Sequence, residues 1–306
     1  MTRAPTSIGY LRDPSAVRRL HIDDVVATYV VDGVVRMQAS EFFPGVPGAF
    51  WTSHPELFDS SGLLPMSAGG LLIERDDATL LIDAGVGSAK IDFAAAEIDC
   101  GAMMDVLTAI GRHPQDIDVV GFTHLHFDHA GWAFAGGAQV FPNARYALAA
   151  REWAPHANGT HRGDATTAWQ AIRALASDAT VVELFEDGDE IVPGVRAMVT
   201  AGHSPGHSAY VISSRTGRRL VALGDAFHMP AQLAHPEWVS IADPDPAGVV
   251  AARQRLLAEL AVPDTVGFGF HFGDQPFGQL IGDSDGRAAW RPVPTTALAP
   301  APQPAR

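Results

Sequence analysis

The feature that most constrains this chain is the run Thr123-His124-Leu125-His126-Phe127-Asp128-His129-Ala130-Gly131, which follows the apolar segment Ile117–Phe122 directly. Three imidazoles and a carboxylate fall within six residues. In an extended segment side chains alternate with period two, so His124 and His126 share one side. A turn after them can bring Asp128 and His129 to the same neighbourhood. Neutral imidazole and carboxylate are suitable ligands for zinc, manganese or iron. A polar surface loop with chance histidines is the bland alternative, and the ordinary frequency of histidine weighs against it.

Histidine is abundant elsewhere too: 13 in 306 residues, against four tyrosines and one cysteine. The single Cys100 excludes an intramolecular disulfide and a thiolate zinc cage. With 47% hydrophobic and 18% charged residues, the chain can build a sizeable core. Its net charge of −14 argues against nucleic acid or anionic membrane as partners, because both need a basic surface. No apolar run approaches the roughly 20 residues of a membrane helix. The first twenty residues lack the apolar core of a signal peptide, so a cytoplasmic location is expected.

Strand and helix patterns alternate along the chain. Val25–Tyr29 and Val34–Met37 flank Asp32-Gly33, a hairpin signal. Gly70–Glu74 and Thr79–Ile82 predict a second hairpin around Asp76-Asp77. Helices are expected at Met103–Ile110, Ala165–Ala176 and Pro246–Leu260, the last with proline at its start. Short apolar strands are expected at Val181–Leu184, Val195–Val199, Tyr210–Ser213, Leu220–Leu223 and Thr265–Phe270. Residues 1–24 read as an N-terminal extension and residues 25–293 as one domain. Within it, the aromatic, Pro- and Gly-rich stretch 40–68 reads as an excursion that covers a pocket. Residues 294–306, rich in Pro and Ala, are expected to be disordered.

His124-x-His126-x-Asp128-His129 resembles the signature of the metallo-β-lactamase superfamily of dinuclear hydrolases. Further segments match that family's pattern in order, from residue 70 to about 275. Ile82-Asp83-Ala84-Gly85 resembles its strand-end Asp-x-Gly, Gly202-His203-Ser204-Pro205-Gly206-His207 its histidine-bearing loop, Gly224-Asp225 its bridging Gly-Asp, and Phe270-His271 its final strand-end histidine. At 201–207 the residues alone leave His203 and His207 open as ligands; the resemblance favours His203.

The resemblance implies a four-layer αββα sandwich with two divalent metal ions, zinc first among them, with manganese, cobalt or iron as alternatives. His124, His126 and His203 would hold one ion, Asp128, His129 and His271 the other, and Asp225 would bridge them. A hydroxide between the ions would be the nucleophile. Asp83 would orient a ligand histidine and His207 would support the site. Asp128, Asp225 and His228 would serve catalysis. His228 stands three residues after Asp225, where acyl-homoserine lactonases of the family have tyrosine. Histidine there resembles the methyl-parathion-hydrolase-like branch, as do Gln232, His235-Pro236-Glu237-Trp238 and the long separation between residues 129 and 203. Trp132 and Phe227, beside ligands, are expected in the substrate pocket. Surface or capping roles are expected for His21, His54, His113, His156, His161 and His235.

Hydrolysis of a lactone or carboxylic ester is the first expectation. Organophosphate triester hydrolysis is the second, and iron-dependent redox chemistry of the persulfide-dioxygenase kind the third. True β-lactamases of the family lack the bridging Asp, so Asp225 weighs against antibiotic hydrolysis. The C-terminal stretch lacks the basic residues with which glyoxalase-II-like enzymes bind glutathione. The expected partner is a small-molecule ester or lactone. Homodimerisation, common among the resembling lactonases, is a further implication.

Overall fold

The computed structural model describes residues 6–75, 78–92, 96–157, 169–177 and 179–298. Its strands form because successive apolar residues have burial waiting on both sides. Along Val25–Met37 and Leu64–Glu74, Tyr29, Val31, Leu71 and Ile73 enter one core cluster, while Val30 and Leu72 enter another on the opposite face. The same period of two separates Leu80 and Ile82 from Leu81, and Val119 from Val120. Strands covered on both faces read as continuous apolar runs in sequence.

These strands belong to an 11-stranded sheet. Thr79–Ile82, Val119–Gly121, Arg145–Ala149 and Val182–Phe185 pair in parallel in that order. Leu64–Glu74 and Val25–Met37 extend the sheet in antiparallel fashion. A 7-stranded sheet holds Val195–Val199, Ser208–Ser213 and Arg219–Ala222, with Thr265–Phe268 parallel to the last. The crossover between that parallel pair is the helix Pro246–Leu260, capped by Asp245, which accepts from the Gly248 N–H at 3.0 Å.

The sheets pack face to face around Tyr29, Leu71, Ile82, Val195, Tyr210 and Phe268. Met103–Ala109 and Trp169–Ser177 cover the outer face of the first sheet, and Pro246–Leu260 that of the second. The expected αββα sandwich is therefore present. Two buried tyrosines tie the sheets together. Tyr29 donates to the Phe270 carbonyl at 2.9 Å and Tyr210 to the Phe122 carbonyl at 2.8 Å. Each bond is worth about 1 kcal/mol, and each acceptor lies just before a histidine-bearing strand end. No helix among the described residues is long and apolar enough to cross a membrane.

Several local expectations change. The hairpin at Asp32-Gly33 is replaced by one strand, Val25–Met37, with an irregularity between Val31 and Gly33. Asp32 explains it, because its buried carboxylate accepts from the N–H groups of Val86, Gly87 and Met103 and from the Trp132 indole at 2.8–3.0 Å. Burial pushes this carboxyl above the ordinary range, and the four donors oppose the rise. The strand bulges to turn a carboxylate inward.

Of the expected extension 1–24, residues 6–24 are described, and they join the first sheet: Arg18–Ile22 pairs with Val25–Met37, and Arg18 Nε bonds Asp274 Oδ1 at 2.7 Å. The segment expected to be disordered from 294 begins with a strand, Thr295–Ala297, set between Thr6–Ser7 and Arg18–Ile22. Residues 299–306, the turn Asp76-Asp77 and residues 165–168 of the expected helix Ala165–Ala176 lie outside the described residues. The stretch 40–68 carries short helices, Ala39–Phe42 and Gly48–Ser53, and packs with Val35, Ile98, Met229 and Trp238. Asp32→Ala leaves four donors without an acceptor, two of them fully buried, and is expected to lower stability by ~3 kcal/mol in urea titration.

Candidate metal centre

Four strand ends and one loop deliver the polar cluster. Asp83 follows Thr79–Ile82, His124 to His129 follow Val119–Gly121, Asp225 follows Arg219–Ala222, and His271 follows Thr265–Phe268. All four are carboxyl ends of parallel strands, where sites in layered α/β folds open. His203 lies in the loop between Val195–Val199 and Ser208–Ser213.

Asp225 stands at the centre, and its two oxygens face different histidines. Oδ1 lies 3.1 Å from His129 Nε2 and 3.0 Å from His271 Nε2. Oδ2 lies 3.4 Å from His203 Nε2 and 3.9 Å from His124 Nε2. His126 Nδ1 is 3.0 Å from His203 Nε2, and Asp128 Oδ2 is 3.5 Å from His129 and 3.7 Å from His271. Among the described residues three overlapping groups, His124/His126/His203, Asp128/His129/Asp225/His271 and His203/Asp225/His228, have donor atoms converging closely enough to hold a metal ion, and the first two share no residue.

Most of the ring nitrogens that face away from the cluster are fixed by a neighbour. His129 Nδ1 donates to Asp83 at 2.8 Å, His203 Nδ1 to Asp243 at 2.8 Å, and His271 Nδ1 to the Ser67 carbonyl at 2.9 Å. Each bond sets the tautomer that leaves Nε2 free for a cation. Asp83 sits at φ +64°, an uncommon conformation, held there by the Thr123 N–H and hydroxyl at 2.7 and 2.8 Å.

His207 has a different task. Its Nε2 accepts the Asp225 N–H at 2.8 Å and its Nδ1 faces Thr200, so both nitrogens are committed to the protein. Gly224 makes the approach possible: it has φ +55°, and a Cβ there would lie 2.4 Å from His207 Nε2.

Charge divides the cluster. Burial lowers His124 well below the usual imidazole range, holds His126 down to about 3, and does the same to His207. These rings stay neutral, the state in which imidazole binds a cation. Burial also acts on His129, but Asp225, Asp128 and Asp83 outweigh it and raise the imidazole well above its ordinary value. His271 is raised against burial by Asp225 and Asp128. The carboxylate side therefore attracts positive charge strongly. His124 Nε2, His129 Nε2 and Asp225 Oδ1 are buried without hydrogen-bond partners among the described residues, a costly arrangement in a core unless a cation completes it. The donor set fits a dinuclear divalent metal site.

The structure brings all seven expected ligands together, with Asp83 and His207 against them. His228 joins them, its Nε2 3.3 Å from Asp225 Oδ2 and its ring stacked 5.5 Å from that of His271. Trp132 and Phe227, expected in the pocket, do not line it. The Trp132 indole is held by Asp32, and Phe227 is fully buried beneath the Arg253 guanidinium. The cavity over the cluster has a volume of about 480 Å³ and is walled instead by Val35, Met37, Phe42, Met66, Ile98 and Phe127, among others. Phe42 belongs to the stretch 40–68. Among the remaining histidines, His54 stacks on Phe50 and His235 on Trp238, while the His113 N–H is capped by Asp116; His161 lies outside the described residues.

Asp243 is a site residue that the sequence reading missed. It precedes the capped helix in Asp243-Pro244-Asp245-Pro246, where only Asp245 carries a recognisable N-cap signal. Although Asp243 is buried, its bonds, first that from His203, hold its carboxyl below the ordinary range. The buried Arg253 lies 3.8 Å away and bonds the carbonyls of Ala226, Pro236 and Trp238.

Comparison with known proteins agrees with this architecture. The sequence profile of the metallo-β-lactamase superfamily matches residues 71–266, and the chain belongs to that superfamily. It is 24% identical over 207 residues to an N-acyl homoserine lactonase of Bacillus thuringiensis, covering 63% of this chain and 76% of the relative. Among solved structures, AidC, a dizinc quorum-quenching lactonase, superposes with a TM-score of 0.76 at 21% identity, over 92% of this chain and 98% of its own. The hydrolase AbOPH of the β-lactamase superfamily gives 0.78 at 22%, over 91% and 98%.

Since His203 Nε2 faces the cluster while both His207 nitrogens are committed, His203→Ala is expected to retain metal at least about tenfold more weakly than His207→Ala. Elemental analysis after dialysis against a weak chelator checks this, and the reverse ranking would overturn the assignment.

Proposed function

We propose that this metal-dependent hydrolase cleaves a lactone or carboxylic ester, using two divalent ions, zinc foremost, held by His124, His126, Asp128, His129, His203, Asp225 and His271. The observation that carries the reading is the cavity: six of the eight His and Asp residues of the cluster reach an otherwise apolar chamber whose described lining contains no Lys or Arg. A substrate with a neutral polar head and an apolar arm suits it, whereas an anionic phosphate or glutathione group finds no cation on the wall. The likeness to the Bacillus thuringiensis lactonase and to AidC supports the same substrate class.

Bound divalent ions supply charge to polarise the scissile carbonyl and to lower the pKa of the attacking water. The protein's own residues do the rest. Asp225, fixed through its N–H by His207, presents one oxygen to each group of histidines and would be shared by the ions that those groups hold. His228 lines the cavity; burial lowers its pKa, and its Nδ1 has no hydrogen-bond partner among the described residues. The Gln232 side chain accepts the His228 N–H at 2.7 Å and holds it in place. A neutral imidazole carries one N–H: on Nε2 it points at Asp225 Oδ2, 3.3 Å away, and only the tautomer with the proton on Nδ1 would leave His228 as a donor to the substrate oxygen. Asp128, the cluster carboxylate with more side-chain exposure, carries the proton from water to the leaving oxygen. Water is thereby added across the acyl C–O bond, giving acid and alcohol.

A phosphotriester also has a neutral head and apolar arms, so the organophosphate reading is separated by kinetics. The zinc- and manganese-loaded protein is expected to show its highest kcat/KM on lactones or aryl esters within a panel that includes thioesters and phosphotriesters; a phosphotriester at the top would overturn the ranking. Elemental analysis is expected to give close to two metals per chain, whereas one iron with oxygen consumption would favour the redox reading. Asp225→Asn is expected to bring turnover to background with the far-UV circular dichroism unchanged; unchanged turnover would refute that shared role.

A further inference from the structure

We infer that Glu152 is the positioning residue that fixes one of the two cation positions, the one flanked by His124, His126 and His203; the inference rests on the dinuclear reading above. Glu152 lies in the helix Ala150–Ala157, directly after the strand Arg145–Ala149, and is only 4% exposed. Its two carboxylate oxygens face two different loops. Oε1 accepts the Leu125 N–H at 3.0 Å, and Leu125 is the residue between His124 and His126. Oε2 accepts the Ser204 hydroxyl at 2.6 Å and the Gly206 N–H at 2.9 Å, on the loop that carries His203. One carboxylate thus joins the first sheet's ligand loop to the second sheet's.

All three partners are donors, so an acceptor-only group is what the position requires. The contact is also close-packed: a Cβ on Gly206 would lie 2.1 Å from the Glu152 nitrogen. The loop can rest on the helix start only because residue 206 is glycine. The other ligand group has separate supports. Asp83 holds His129 and the Ser67 carbonyl holds His271. Loosening Glu152 should therefore change the spacing of His126 and His203, 3.0 Å apart, while leaving Asp128, His129 and His271 in place.

The test is zinc release from the metal-loaded full chain under increasing chelator, counted with a chromogenic dye. Wild type is expected to release two zinc ions per chain. Glu152→Gln keeps the shape but turns an amide NH2 against the donors of one loop. It is expected to release one zinc at about 10–100-fold lower chelator concentration, with the other step unmoved. Ser204→Ala removes one arm and should shift the same step by a smaller factor, which keeps the test open if Glu152→Gln fails to fold. In a His126→Ala background, Glu152→Gln should leave the remaining zinc unaffected. Two unmoved steps, or equal shifts in both, would overturn the positioning role. A wild type that releases a single zinc would instead overturn the dinuclear reading and the inference with it.

Discussion

The carboxylate of Asp225 is the interaction on which the rest of the site depends. Buried at 3% exposure, it lies within 4 Å of four imidazoles of the proposed ligand set, two on each oxygen. A carboxylate in that place is tolerable only when positive charge stands beside it. Its neighbours lower its pKa despite the burial, His129 and His271 most of all. Every other feature of the region secures one side of that balance. His207 pins the Asp225 backbone; Asp83, Asp243 and the Ser67 carbonyl orient the rings of His129, His203 and His271.

The fold places these groups by joining the ends of two sheets rather than by any single loop. Parallel pairing brings Ile82 and Gly121 level in the first sheet and Ala222 and Phe268 level in the second. The residues just beyond those pairs are the ones that converge. The cross-sheet bonds of Tyr29 to Phe270 and Tyr210 to Phe122 then act where they matter most, at the last residues before His271 and before Thr123-His124. A shift of one sheet against the other would break these bonds and separate the two histidine groups together.

Much of this was legible in the sequence because metal ligation leaves dense local marks. The run from His124 to His129 and the strand-end residues Asp83, Asp225 and His271 lie beside apolar strands whose period is plain. Val195–Val199 and Pro246–Leu260 occur with the predicted bounds. What was not legible is carried by single residues with distant partners. Glu152 belongs to no motif or predicted element, and Asp243 is one of two acids before a helix; only the fold reveals their donors 27 and 40 residues away. Asp32-Gly33 imitates a hairpin because the turn dipeptide and the inward carboxylate of a bulge use the same residue types. Trp132 and Phe227 sit beside ligands in sequence, but each ring is claimed by a polar partner behind the site, Asp32 and Arg253, and so points away from the chamber. The strand Thr295–Ala297 escapes a compositional reading because its neighbours in the sheet, Thr6–Ser7 and Arg18–Ile22, come from the opposite end of the chain.

The same geometry separates chemistry from selectivity. The cluster is built from strand ends of the two sheets, bound to one another through buried polar contacts that tolerate little change. The apolar wall over it comes from other places: Val35 and Met37 from the long strand, Phe42 from the short helix after it, Ile98 from the strand Ala96–Cys100, and Ile241 from the loop before Asp243. Ile91 and Ile241 are 40% and 66% exposed, so the apolar lining continues to the mouth of the cavity. Each large side chain on that wall changes the room for a substrate arm by one side-chain volume. On the proposed reading, the arm that the enzyme prefers is therefore set by Val35, Met37, Phe42, Met66, Ile98, Phe127 and Ile241. The bond that it breaks is set by the buried charge around Asp225.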